Sequence, residues 1–312
     1  MIDMLFLWGL APARPRTDLF LPGSPERCVQ RQAVEDEDGN VWMIEKLRPG
    51  QWDRREKIGI LLHALAQAGL PVPAYLPGPR GRFAPEVDGN AYHLSPYIPG
   101  DPLPQPEFIE DADRGTGLGR FLADLRGPEH AAAPFSGEPE LNLEDYINEL
   151  MGAMRTRRPE VREGLLPVLP ALAPLFEAWP HLPRALCQGD FHPLNVIWRG
   201  TGVAAVIDWE FCGIRPALFD AANCLGCVGI EDPPALVRGL APALLRELRD
   251  RDRLDPDSLA LLPELILALR FAWMSEWLRR GDGELADLEL RYMRLLSNSI
   301  DTLLPAWKQL LS

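Results

Sequence analysis

The stretch that most constrains this chain runs Leu186-Cys187-Gln188-Gly189-Asp190-Phe191-His192-Pro193-Leu194-Asn195-Val196-Ile197-Trp198, with Val203-Ala204-Ala205-Val206-Ile207-Asp208-Trp209-Glu210 shortly after it. The apolar runs 196–198 and 203–207 flank Arg199-Gly200-Thr201-Gly202. Short β-prone runs on either side of a glycine-bearing turn predict an antiparallel hairpin. A hairpin lays its flanks side by side, so Asn195 at one outer end is expected near Asp208 at the other. Asp190 lies one short loop earlier, and Pro193 stiffens that loop. Three oxygen-bearing side chains are therefore expected at one end of a hairpin.

Asn195 and Asp208 offer hard oxygen ligands suited to Mg²⁺. Phosphoryl transfer asks for such a set: an Asp that orients the acceptor hydroxyl, an Asn further on that holds metal, and a later Asp that holds metal bridging the phosphates. An Asp-x-x-x-x-Asn pair alone is common by chance, and the bland alternative is a buried hairpin with a polar loop beside it. The second run, ending in Asp208-Trp209-Glu210, supplies the context that favours the chemical reading.

These residues resemble the aminoglycoside phosphotransferase/choline kinase family, the small-molecule branch of the protein-kinase-like fold. Its usual loop, His-Gly-Asp-x-His-x-x-Asn followed by Ile-Asp-Trp/Phe-Glu/Asp, is matched by Gln188 to Asn195 and by Ile207-Asp208-Trp209-Glu210. Gln188 stands where the family usually carries His, a residue that supports the loop. The resemblance implies an α+β, two-lobed protein-kinase-like fold, with a small N-terminal antiparallel sheet and helix and a larger, mainly helical C-terminal lobe. It implies Asp190 as the catalytic aspartate, Asn195 and Asp208 as metal ligands, and ATP and Mg²⁺ as cofactors.

At 312 residues the chain is long enough for two lobes or one large domain. The expected division is a nucleotide-binding lobe over residues 1–97 and a catalytic, acceptor-binding lobe over 98–312. A net charge of −13 argues against nucleic acid or an anionic membrane as partner. No run reaches the roughly 18 apolar residues that a membrane span needs. The start, Met1-Ile2-Asp3-Met4, has an acid where a signal peptide carries basic residues. The five cysteines lack a framework spacing and are expected as free thiols in a reducing compartment. Cys224-Leu-Gly-Cys227 lacks the two further ligands that zinc would need. A cytoplasmic monomer or homodimer is expected.

In chain order, residues 17–21 predict a first strand, 22–27 a turn and 28–34 a second strand. The turn carries one glycine, a weak phosphate-loop signal. Asp38-Gly39 predicts a hairpin into a third strand over 41–47. Lys46 lies near its end, where the family's ATP-gripping lysine belongs. Glu45 points to the opposite face, so only one of the two can face the cleft, and Lys46 is the expected one. Residues 52–68 read as a helix from Ile58, Leu61, Leu62 and Leu65. Glu56 in its first turns is the expected partner of Lys46, with a surface pairing as the alternative. The run 91–98 reads as the last strand of a small sheet, and the hinge around Ser95 and Tyr97 is expected to meet the adenine edge. His93 is expected to be a packed or surface residue, without chemistry. Helices are expected over 108–125, 142–154 and 161–179, the last broken by prolines, and three or four more over 233–312. Asp220 is expected to brace the catalytic loop. Leu265, Leu269, Trp273 and Trp277, at i, i+4 spacing, form a stripe that reads as core or as a wall of the acceptor pocket.

The leading reading is an ATP- and Mg²⁺-dependent kinase acting on a small-molecule hydroxyl. The acceptor would be an amino alcohol, a hydroxy amino acid such as homoserine, or a sugar-like alcohol. An aminoglycoside-type antibiotic kinase and a non-catalytic nucleotide-binding module are the alternatives. No Ala-Pro-Glu-type segment follows Asp208, which argues against protein substrates.

Overall fold

A computed structural model describes residues 1–21 and 27–312. The turn expected over 22–27 lies mostly outside them. Along the chain come β1 (Pro12–Pro15), β2 (Gln30–Asp36), β3 (Val41–Lys46), α1 (Trp52–Gln67), β4 (Glu86–Val87) and β5 (Asn90–Pro96). Then follow α2 (Ala112–Leu125), α3 (Leu143–Arg157), α4 (Pro159–Leu165), α5 (Ala173–Ala178) and β6 (Arg184–Cys187). The hairpin β7 (Val196–Arg199) and β8 (Gly202–Val206) leads to β9 (Gly213–Pro216). The chain closes with α6 (Phe219–Glu231), α7 (Leu240–Asp250), α8 (Pro256–Ala260), α9 (Leu262–Arg280) and α10 (Gly283–Leu311). Among the described residues, no helix is long and apolar enough to cross a membrane.

Two compact units share these elements. The first comprises residues 1–103, 124–138 and 188–213, and the second 104–123, 139–187 and 214–312. The first holds an antiparallel sheet in the order β1-β2-β3-β5-β4. Its core gathers Leu5, Val34, Ile44, Tyr92 and Leu94. The β2–β3 turn closes as Asp-Gly chemistry requires: Gly39 has φ 82°, and the Asp36 carboxylate accepts from the Asn40 amide at 2.8 Å and from Trp42 Nε1 at 2.7 Å. In α1 the periodic residues Ile58, Leu61, Leu62 and Leu65 are all buried.

The expected first strand at 17–21 is a turn instead, and the edge strand is β1. The Arg16 guanidinium grips Asp18 with two hydrogen bonds, at 2.8 and 2.7 Å, folding the chain back where strand propensity alone would extend it. The helix expected over 161–179 is split into α4, α5 and short 3₁₀ turns, each opening on a proline in its first turn.

The second unit is mainly helical. Its α9 and α10 share a buried ion pair, with Arg270 Nη2 2.5 Å from Glu289 Oε2. Trp277 Nε1 also donates to Glu289, at 3.1 Å. The stripe on α9 therefore divides: Leu265 and Leu269 are core, while Trp273 and Trp277 are half-buried around that pair. None of the five cysteines is in a disulfide.

Candidate active site

The site is assembled on the β7–β8 hairpin, and all of its residues lie in the first unit. Val196 pairs with Val206, and the Ile207 amide donates to the Asn195 carbonyl at 2.9 Å. Asp208 is thus the next residue beyond the point where the two flanks meet. Its backbone is left-handed, with φ 62° and ψ 56°. Aspartate tolerates that conformation better than most residues, and the departure turns the chain out of β8 at the place where a side chain must be aimed.

Asp190 is held from two sides. Asn195 Nδ2 donates to its backbone oxygen at 2.8 Å and to its Oδ2 at 3.1 Å. The Asp190 amide donates to Gln188 Oε1 at 2.7 Å. Gln188 is fully buried, and its Nε2 donates to the carbonyls of Ile207 at 2.9 Å and Asp208 at 2.7 Å. One side-chain amide therefore ties the loop carrying Asp190 to the backbone carrying Asp208. Between them Gly189 has φ 88°, and a Cβ there would stand 2.1 Å from the Phe211 carbonyl oxygen. Only glycine fits that approach.

Arg27 joins the carboxylates. Its Nη2 lies 3.0 Å from Asp190 Oδ2, and its Nη1 lies 3.3 Å from Asp208 Oδ2 and 2.8 Å from Glu210 Oε2. Burial alone would lower the Arg27 pKa, but Asp208, Glu210 and Asp190 together raise it. On the far side of Glu210, Arg55 of α1 reaches its Oε1 at 2.5 Å and donates to the Tyr75 hydroxyl at 3.2 Å. The neighbouring Arg54 donates to the Glu210 carbonyl at 2.8 Å. His192 Nε2 stands 3.8 Å from Asp190 Oδ1, beyond hydrogen-bond reach.

Asp190, Asn195 and Asp208 are brought together as the hairpin predicts. Asn195 spends its amide nitrogen on Asp190, and its Oδ1 accepts no hydrogen bond among the described residues. A hard-oxygen pair of one amide oxygen and one carboxylate fits Mg²⁺, which normally keeps several positions for water and phosphate. No cluster of three or more His, Cys, Asp or Glu suited to a metal ion occurs among the described residues.

Ser95 and Tyr97 line a cavity together with Met43, Ile197, Ile207 and Asp208. Leu62, Pro73 and Pro96 add to its apolar lining. Lys46 and Glu56 are placed otherwise than expected. Strand alternation turns Glu45 of β3 into this cavity, whereas Lys46 lines a separate groove with Trp52, Asp53 and Asn90. Glu56 accepts from the amides of Phe83 at 3.0 Å and Ala84 at 2.9 Å and lies 3.4 Å from Arg82, so the Lys46–Glu56 pair is not formed. The charged side chains lining the cavity include Arg31 on β2, Glu45 on β3 and Arg55 on α1, beside Arg27, Asp208 and Glu210. Glu45 lies 2.8 Å from His93 Nε2, and His93 stacks on Tyr75 with 4.2 Å between ring centroids. Burial pushes the Glu45 carboxyl up, but His93, Arg55 and Arg31 outweigh it and hold the pKa at about 2. Of the packed and surface alternatives His93 takes the packed one, against a charged partner in the cavity wall.

Sequence reasoning missed Arg27, Arg55 and the bridging part of Gln188. Arg27 and Arg55 carried no local signal, because their partners lie far along the chain. Gln188 occupied a recognised motif position, and its two-carbonyl grip shows how an amide can do the supporting work there.

A family model described as a phosphotransferase enzyme family matches residues 33–256. A homoserine kinase of Rhizobium meliloti (strain 1021) is 29% identical over 236 residues, covering 72% of this chain and 69% of that one. Among solved structures, the GDP complex of aminoglycoside 2'-phosphotransferase-IIIa superposes with a TM-score of 0.64 at 18% identity, covering 96% of this chain and 97% of that one. A choline/ethanolamine kinase family protein from Mesorhizobium loti gives a TM-score of 0.64 at 17% identity, with 90% of each chain covered. At these identities the structural matches speak for the fold, which is that of the protein-kinase-like small-molecule kinases.

Proposed function

This chain belongs to the phosphotransferase enzyme family, and we propose that it transfers the γ-phosphoryl group of ATP to a hydroxyl of a small molecule. The observation that supports this most is the convergence of Asp190, Asn195 and Asp208 at one end of the β7–β8 hairpin, locked by Gln188. Asp190 orients the acceptor hydroxyl and takes its proton as the acceptor oxygen bonds to the γ-phosphorus. The bond from that phosphorus to the β-bridging oxygen breaks, and ADP leaves. Asn195 and Asp208 are the proposed Mg²⁺ ligands, and the ion supplies charge neutralisation to the phosphates when bound. Catalysis then comes from positioning and charge stabilisation in a preorganised site.

Ser95 and Tyr97 are proposed to meet the base. The phosphates are assigned to the cationic wall made by Arg31 and Arg55, which line the same cavity, in place of Lys46. The proposed functional boundary falls at residue 97, with nucleotide binding before it and catalysis and acceptor binding after it. The protein is proposed to work in the cytoplasm, as a monomer or homodimer.

A hydroxy amino acid of the homoserine type is the first acceptor to test, supported by relatives of that name matching about seven-tenths of the chain. The experiment measures ADP release with homoserine, choline, ethanolamine and an aminoglycoside. ADP release and a phosphorylated product with homoserine support the reading. Transfer only to the aminoglycoside moves the acceptor class. Nucleotide-dependent thermal stabilisation with no transfer to any alcohol would favour a non-catalytic nucleotide-binding module.

A further inference from the structure

One guanidinium sits where three carboxylates meet. Arg27 contacts Asp190 Oδ2, Asp208 Oδ2 and Glu210 Oε2 at 3.0, 3.3 and 2.8 Å. Three carboxylates this close repel one another, and a five-donor planar cation is well shaped to hold them converged. Arg55 shares only Glu210, through its other oxygen. Arg27 is therefore the group that screens Asp190 from Asp208.

We propose that Arg27 is a positioning residue that acts as an internal counter-ion: it keeps the carboxylates converged before metal binds and is displaced from Asp208 when a divalent cation arrives. This rests on the reading of Asp208 as a metal ligand. The Asp208 oxygen that faces Arg27 is thereby committed to a cation already. A divalent ion and a guanidinium sharing one carboxylate repel each other, so occupancy by one weakens the other. The same side chain also takes Asp190 Oδ2, the carboxylate proposed to receive the acceptor proton. Release of Arg27 would free the metal ligand and the base in one movement.

The anchoring of Arg27 permits that movement. Its backbone carbonyl is held by Arg55 Nη2 at 3.3 Å, independently of its side chain. The guanidinium lies 5.4 Å from the centroid of the Phe211 ring and remains one-fifth exposed, so it can leave by rotation of side-chain torsions alone.

The test titrates nucleotide-free protein with Mn²⁺, following the free ion by electron paramagnetic resonance, in wild type, R27Q and R27K. The proposal expects R27Q to bind Mn²⁺ about tenfold more tightly, the scale of a lost charge-assisted hydrogen bond, and R27K to stay near wild type. Equal or weaker binding in R27Q overturns it. The double variant R27Q/D208N separates the premise from the proposal: if it keeps the tightened binding, the assignment of Asp208 as metal ligand is what fails. Should R27Q not fold, wild-type protein carries the test. Phenylglyoxal labelling of Arg27, read by mass spectrometry, is expected to rise severalfold on adding Mn²⁺ alone, and unchanged labelling overturns the proposal.

Discussion

Gln188 Nε2 donates to the Asp208 carbonyl at 2.7 Å, so one buried amide fixes the backbone of the proposed metal ligand to the loop that carries the proposed base. The amide has donors on one arm and an acceptor on the other, and it uses both.

Replacing Gln188 with Leu keeps the volume and removes three hydrogen bonds, leaving buried backbone groups unsatisfied. The expected cost is about 2–4 kcal/mol of stability, from roughly 1–3 kcal/mol for each orphaned group with partial relaxation. Turnover is expected to fall further than folding alone explains, because Asp190 and Asp208 lose their common reference. Urea melts beside kcat at a temperature where the variant is folded check this; a variant with wild-type melting and kcat would remove Gln188 from the account.

Asp190→Asn keeps the shape of the side chain and removes the proton acceptor. The expected result is a loss of roughly 10²–10⁴-fold in kcat, the usual range for a general base, with ATP still bound. Calorimetric titration with a non-hydrolysable ATP analogue and a steady-state assay on the same preparation read the two quantities. Retention of turnover would show that the acceptor hydroxyl needs no carboxylate at this position.

Lys46 and Arg55 make a paired test of which cation meets the phosphates. Lys46→Ala is expected to change nucleotide affinity by less than about threefold, since this half-buried charge lines a separate groove and acts on the cavity only at a distance. Arg55→Met is expected to weaken nucleotide binding by tenfold or more, about 1.4 kcal/mol or above. It should also destabilise the fold by about 1–3 kcal/mol, because one Glu210 oxygen and the Tyr75 hydroxyl lose a charged partner while Arg27 keeps the other oxygen. Nucleotide titrations of both variants decide it; the opposite ranking returns the role to Lys46.

The hairpin and its three polar side chains were legible in the sequence because they are local. Gly200 and Gly202 mark the turn, β-branched residues mark the flanks, and the spacing then carries Asn195 beside Asp208. The cleft's ionic partners were not legible in the same way. Strand alternation separated Glu45 from Lys46 but could not say which of them faces the cavity lined by Ser95 and Tyr97, and there the structure places Glu45. On α1 the inward residue is Arg55, one position from the expected Glu56, a rotation of a helix that short-range periodicity does not resolve. Arg27 meets Asp190 across 163 residues of chain, and no local pattern encodes such a contact.

Acid should weaken the fold through Glu45. Its pKa in the folded chain is about 2, against 4.5 for an ordinary glutamate. The stabilisation is therefore present in full above about pH 4.5 and is lost as the pH falls toward 2, amounting to a few kcal/mol. Melting temperatures taken at pH 6, 4 and 2.5 should show the decline, and Glu45→Gln should flatten the share due to this carboxylate. An identical slope in that variant would place the acid sensitivity elsewhere.

The two successive arginines of α1 have a mechanical result. Arg54 holds the Glu210 backbone and Arg55 its carboxylate, so the helix and the segment just past Asp208 behave as crank and connecting rod. A turn or slide of α1, for whatever reason, drags the neighbour of the proposed metal ligand with it. Ligand-induced motion in this helix would thus reach the proposed metal ligand without passing through the strand that carries Lys46.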